Sequence, residues 1–309
     1  MKTRSPTVII TKNTAYALMV VAVAMWATSG PFAELAYRED ATVIEVTTFA
    51  FLIGALVLLV LIAVFDRASL RIRKKDLLPF IGFSLVAGVL LNLAWFGAID
   101  ETSVAITVVL NYTYPSMVTV ASVFLFKEKF TAQKALALPL TFAGCILVAG
   151  GEDIAHGLSF NWYGIGLGLA SGVATAVYYL WGKKFEESYS PNTVVLYLFA
   201  ISTVFLVVVA NPIELVQTSL SASAWFWILN VAIWSGVVGF LPSLVALKHL
   251  EASKASIVAS IEPVFAVVLA FVMLAEGISA AQVFGVVLVV LGVALLKARI
   301  GLGRAATPV

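Results

Sequence analysis

The sequence predicts an all-α integral membrane protein whose ten transmembrane helices form a five-plus-five inverted-topology repeat, with both termini cytoplasmic. Three observations carry this expectation. Of 309 residues, 61% belong to the set AVILMFWYC and only 12% are charged, and the mean hydropathy is +1.04; a water-soluble domain carries about 25% charged residues, so most of this surface belongs in lipid. A spanning helix needs ~20 mainly apolar residues, and ten such stretches can be separated. Finally, the lysines and arginines fall almost entirely on alternate loops.

The stretches lie near 14–33, 43–65, 77–98, 102–126, 133–150, 162–182, 192–210, 224–247, 254–274 and 281–297. Lys2, Arg4 and Lys12 before the first imitate a signal-peptide n-region, but the apolar run is long and nine more follow, so it reads as a retained helix. With a cytoplasmic N-terminus the inside segments hold 18 of the 19 basic residues, leaving Arg38 outside. One missed or invented helix would invert every later loop, so this asymmetry supports both span number and orientation. The short gaps leave no room for a soluble catalytic domain.

The same inventory excludes other classes. A net charge of +2 does not suggest nucleic-acid binding, and Cys145 is the only cysteine, so no intramolecular disulfide can form. With His156 and His249 as the other soft ligands, neither a metal site nor a cofactor is expected. No phosphate loop and no Gly-x-Ser-x-Gly motif occurs, and both histidines lie in loops, which argues against a pump or an intramembrane hydrolase. A channel is disfavoured because a repeat within one chain suits a carrier.

A fixed offset of 148 residues, without gaps, places Pro115 on Pro263, Glu128 on Glu276, Thr131 on Ser279 and Gly144 on Gly292. The halves are then 1–150 and 151–309, and five spans each require the second half to enter the membrane from the opposite side. Inverted repeats allow one midplane site to be opened to either side by two nearly isoenergetic arrangements.

Within this frame the residues resemble a known family. The Trp26-Ala27-Thr28-Ser29-Gly30 stretch closing the first span, and Glu262-Pro263-Val264-Phe265-Ala266 followed by Glu276, are similar to the drug/metabolite transporter superfamily, in particular its EamA-type members. The resemblance covers essentially the whole chain and implies export of small metabolites; within the superfamily the chain is most similar to bacterial aromatic amino-acid exporters. Tyr114 stands where the second repeat has Glu262, so any family role of that carboxylate applies to Glu262 alone.

Candidate site residues follow from helical stripes. Ser84, Gly88, Asn92 and Trp95 align on the third span, Thr107, Asn111 and Tyr114 on the fourth, Ser171, Thr175 and Tyr178 on the sixth, and Asn230 with Trp234 on the eighth. Together with Trp26 they suggest a cavity with flat apolar walls and a few hydrogen-bonding groups; equally, Ser, Thr and Asn in membrane helices often bond between helices. Glu262 lies deep in a span, where a carboxylate is expensive unless paired, so it reads either as a proton or ammonium site or as a structural acid. Pro115 and Pro263 leave the carbonyls of Asn111 and Ala259 without helical donors, and with Gly30 and Pro31 they read as hinges. Gly164, Gly168 and Gly172 form a packing face. The expected partners are a small-molecule substrate and the lipid bilayer, with no nucleic acid and with a monomer compatible with the sequence. The expected activity is secondary export of amphipathic metabolites, amino acids foremost, from the inner membrane of a bacterium; nucleosides, sugars or organic cations are the alternatives, and proton coupling and facilitated diffusion both fit.

Overall fold

Apolar side chains and self-satisfied backbone make helices the default in lipid. The computed structural model of the chain describes residues 10–150, 161–274 and 277–296. Among these, nine helices are long and apolar enough to span a membrane: α1 (Lys12–Tyr37), α2 (Val43–Phe65), α3 (Lys74–Glu101), α4 (Ile106–Leu125), α5 (Ala132–Ala149), α6 (Trp162–Phe185), α7 (Pro191–Val209), α8 (Ala222–His249) and α9 (Ala252–Met273). A tenth apolar helix, α10 (Ala280–Leu295), has 16 residues. The expected boundaries agree to within a few residues. Of the residues named above, Lys2, Arg4, His156 and Glu276 lie outside the described residues.

Local sequence explains the helix ends. Thr42 and Glu45 form a reciprocal capping box at the start of α2, and Ser279 with Gln282 does the same for α10. Ser190 caps α7 ahead of Pro191, whose missing N–H is harmless in a first turn. Outward-facing apolar side chains such as Phe65, Leu78 and Phe124 are more than 70% exposed, a surface suited to acyl chains and not to water.

Three helices are interrupted. Helix α1 consists of Lys12–Trp26 and Ser29–Tyr37, α4 divides after Asn111 and resumes at Tyr114, and α9 divides after Ala259 and resumes at Glu262. Each interruption lies just upstream of a proline: Pro31 cannot donate to Ala27, Pro115 to Asn111, or Pro263 to Ala259. The α4 and α9 interruptions are separated by 148 residues. Two further helices widen locally into π-helix, over Leu85–Leu90 in α3 and Val231–Val238 in α8, and the same offset brings the first onto the last six residues of the other. In α3, Asn92 Nδ2 donates to the Gly88 carbonyl at 2.6 Å and competes with the backbone ladder. In α8, Pro242 leaves the carbonyl of Val238 without a donor.

Small residues set the close packing. Gly164, Gly168 and Gly172 of α6 face Thr102, Leu110 and the Asn111 carbonyl, so this glycine face packs within the chain against α4 and the end of α3. Gly144 of α5 and Gly285 of α10 approach so closely that a Cβ on either would lie 2.7 Å from the other's carbonyl oxygen.

One end of the bundle carries Lys134, Lys183, Lys248 and Lys254. There Glu128 Oε1 accepts the Ala252 amide at 2.7 Å, and Oε2 accepts the Ser253 hydroxyl and Lys134 Nζ, the latter at 3.2 Å. Lys134, buried, also pairs with Glu251 at 2.7 Å. This network fastens the α4–α5 connection to the first turn of α9. The α5–α10 contact yields a first test: Gly144→Val forces overpacking against Val289 and the Gly285 carbonyl and should destabilise the protein by ~1–3 kcal/mol, whereas Gly30→Ala, with open space at its Cβ, should be neutral; thermal unfolding in detergent distinguishes them.

Candidate substrate site

The interruptions in α4 and α9 face each other across the bundle. Glu262 opens the second half of α9, where the helix dipole favours a negative charge. Its Oε2 accepts the Tyr112 hydroxyl at 3.3 Å. Tyr114, at the equivalent position of α4, is buried and its hydroxyl donates to the Ser256 carbonyl at 3.5 Å. Cys145 Sγ lies 3.6 Å from the Ser260 carbonyl, so the thiol covers one acceptor released by the α9 interruption.

From Tyr114 an aromatic series continues across the molecule. Tyr114 stacks on Tyr179 with centroids 5.5 Å apart and rings within 4° of parallel, and Tyr179 meets Tyr178 edge to face at 5.4 Å. Tyr178 in turn contacts Trp26 at 5.8 Å and Phe240 at 5.5 Å, while its hydroxyl shares a 2.6 Å hydrogen bond with Ser243. The Trp26 indole N–H is buried without a hydrogen-bond partner. The Trp26 indole packs against Gly239, where a Cβ would fall 2.6 Å from its Cδ1.

The α1 interruption is tied to the π-helical segment of α8. Thr28 Oγ1 lies 2.7 Å from the Met25 carbonyl, to which it donates, and 2.9 Å from the Ser235 hydroxyl. One side chain thus adds a hydrogen bond to a carbonyl at the end of the first half of α1 and links two irregular segments.

The expected residues therefore divide. Trp26, Tyr114, Tyr178 and Glu262 come together with Pro115 and Pro263 beside them. Asn111 donates to Ser171 at 3.0 Å and to Thr175 at 3.1 Å, so it and Thr175 clasp α4 to α6. Ser84 is buried against α7, donating to the Tyr197 carbonyl at 3.3 Å. Asn92 lines a separate cleft of about 350 Å³ at the other end of the bundle, with Thr42, Thr47, Phe96 and Asp100. Trp95 is half-buried on α3, and Trp234 is 46% exposed on α8. The α1 interruption falls at Ala27–Thr28, just before Gly30 and Pro31. Tyr112, Tyr179, Phe240 and Ser243 join the site without having been expected; Tyr112 is two residues from Tyr114 and lies on the same side only because the helix is interrupted between them. No group of three or more His, Cys, Asp or Glu side chains able to hold a metal occurs among the described residues.

Interrupted helices that bring polar groups together inside an apolar bundle are the architecture many membrane transport proteins use for their binding sites. The chain belongs to the EamA-like transporter family, whose profile matches residues 13–150 and again 162–298, and so to the drug/metabolite transporter superfamily. It is a multi-pass protein of the inner membrane. It is 26% identical over 234 residues to the threonine/homoserine exporter RhtA of Salmonella typhimurium (strain LT2), covering 74% of each chain. It is 24% identical over 248 residues to the uncharacterized transporter YyaM of Bacillus subtilis (strain 168), covering 79% of this chain and 80% of YyaM. A solved crystal structure with 18% identity superposes with a TM-score of 0.79 over 93% of this chain and 97% of the other, a likeness of fold.

The Thr28–Ser235 contact can be weighed directly. Interhelical hydrogen bonds in membranes average about 0.6 kcal/mol and reach ~1.7 kcal/mol; a double-mutant cycle of Thr28→Val and Ser235→Ala should return a coupling in that range, read from unfolding in detergent.

Proposed function

We propose that the protein is a ten-span secondary transporter, its halves 1–150 and 151–309 inverted relative to each other, that exports small amphipathic metabolites by alternating access. Amino acids are the proposed substrates, with aromatic or large apolar side chains preferred. The observation that carries this reading is the pair of interrupted helices that puts the first turns of Tyr114–Leu125 and Glu262–Leu274 beside an aromatic wall. The positive end of a half-helix dipole suits a substrate carboxylate, Glu262 suits its ammonium, and Tyr114, Tyr178, Tyr179 and Trp26 supply an aromatic surround with an unpartnered indole donor. The lysine-rich end is the cytoplasmic one in this reading, following the distribution of positive charge. The exporter activity of the 26% identical relatives supports the amino-acid class and extends it to small hydroxylated members.

Counterflow in proteoliposomes tests this. Vesicles loaded with an unlabelled amino acid and given external tracer of the same one, from threonine to phenylalanine and tryptophan, should accumulate tracer transiently. Leakage without accumulation would mean a channel, and silence across the panel would move the substrate to nucleosides, sugars or organic cations. Tyr114→Ala should lower the rate at least about tenfold, the effect of losing ~1.4 kcal/mol of interaction. Glu262→Gln should raise the half-saturating concentration of a zwitterion similarly, because its ammonium loses a charged partner. Asn92→Ala should also impair transport, through the outer cleft; normal rates in both alanine variants, with normal folding, would remove the site assignment.

A further inference from the structure

Glu186 follows the last turn of α6 at the lysine-rich end, and its carboxylate is 2% exposed. Both oxygens are buried without a hydrogen-bond donor. Its natural partner one turn earlier, Lys183, is committed elsewhere: the ammonium donates to the carbonyls of Leu247, Lys248 and Leu250 at 2.7, 3.2 and 2.7 Å, which uses all three of its protons. From α8 the facing cation is Lys248, 3.9 Å away and half in solvent. On α6's own continuation Lys184 and Glu187 pair with each other at 2.7 Å, and towards the bundle Tyr178 lies within electrostatic reach of the carboxylate. Glu128 and Glu251 face Lys183. A carboxylate so placed is poorly compensated as an anion, yet an un-ionised carboxyl fits the same pocket.

We propose that Glu186 is a proton-binding site whose occupancy is linked to closure of the lysine-rich end, so that the closed arrangement holds the proton and opening releases it. The inference rests on the transport reading above for its use, since it supplies the proton site that Glu262, turned towards substrate, does not. Closure at this end consists of the Lys183 cap on the α8 carbonyls and the Glu128 bonds to the first turn of α9. Opening separates those contacts and admits water to the carboxylate.

Burial raises the Glu186 carboxyl to about 8, with Lys248 and Lys183 opposing the rise. A watered carboxylate titrates at about 4.3. The closed form therefore binds more protons between these values, and opening is favoured as pH rises. For one linked proton the opening constant should increase about tenfold per pH unit up to about 8 and then level off.

Hydrogen–deuterium exchange of the Leu247–Ser253 amides, measured on the full-length protein in nanodiscs and divided by the intrinsic exchange rate at each pH, reads that constant without any substrate. The wild type should show the tenfold-per-unit rise from pH 6 to 8. Glu186→Gln should hold the segment at the low-pH level throughout, and Lys248→Gln, which removes the facing cation, should leave the rise between pH 6 and 8 in place and carry it beyond the pH at which the wild type levels off. A pH profile in Glu186→Gln equal to that of the wild type would overturn the proposal, as would a wild-type profile that is flat. Absence of amino-acid counterflow bears on the transport reading alone, because the exchange measurement is independent of it.

Discussion

In hydrocarbon there is no water to accept an orphaned amide or carbonyl, so a spanning helix may be interrupted only where other groups take over its hydrogen bonds. Every feature of interest in this protein lies where that constraint is strained and then met locally. At the α1 interruption the Thr28 hydroxyl takes the Met25 carbonyl, at α4 the Thr113 hydroxyl takes Leu110 at 2.6 Å, and at α9 the Cys145 thiol covers Ser260. Prolines determine where the strain arises, and short polar side chains make it tolerable. Beside the α4 and α9 interruptions Glu262, Tyr112 and the aromatic series meet.

Packing around these points depends on residues that do little else. Gly172 permits α6 to lie against the Leu110 and Asn111 carbonyls of α4, and Gly239 leaves room for the Trp26 indole. At the lysine-rich end the opposite strategy operates, with buried charges each held by several partners. Lys134 and Glu128 satisfy one another, a helix N-terminus and a backbone carbonyl, a degree of satisfaction that a buried ion pair needs if it is not to destabilise the fold. Glu186 departs from that pattern, and the departure sets it apart from the surrounding charges.

The span positions were legible because length and apolarity alone decide them in lipid, and the family was legible in the order of its motifs. Pro31, Pro115 and Pro263 marked the interruptions to within a turn, since a missing donor has a fixed address four residues upstream. What periodicity could not reveal was which polar stripe faces a cavity. Asn111 and Thr175 satisfy the same spacing as cavity residues but bond to each other, because hydrogen bonding between helices and lining a pocket require the same small polar side chains at the same interval. Tyr112 lay off the stripe of Tyr114 on any continuous helix, and Glu186 was hidden among surface-like charges at a span end.

The α1 interruption has no counterpart at the 148-residue offset, because Tyr179 occupies the place of Pro31 and α6 runs unbroken through it. Two halves built alike in α4 and α9 but unlike in α1 and α6 cannot exchange shapes at equal free energy. For the alternating-access carrier proposed above, this asymmetry means that the empty protein rests with one face preferred and that apparent affinities measured from the two sides of the membrane differ even when no gradient is present.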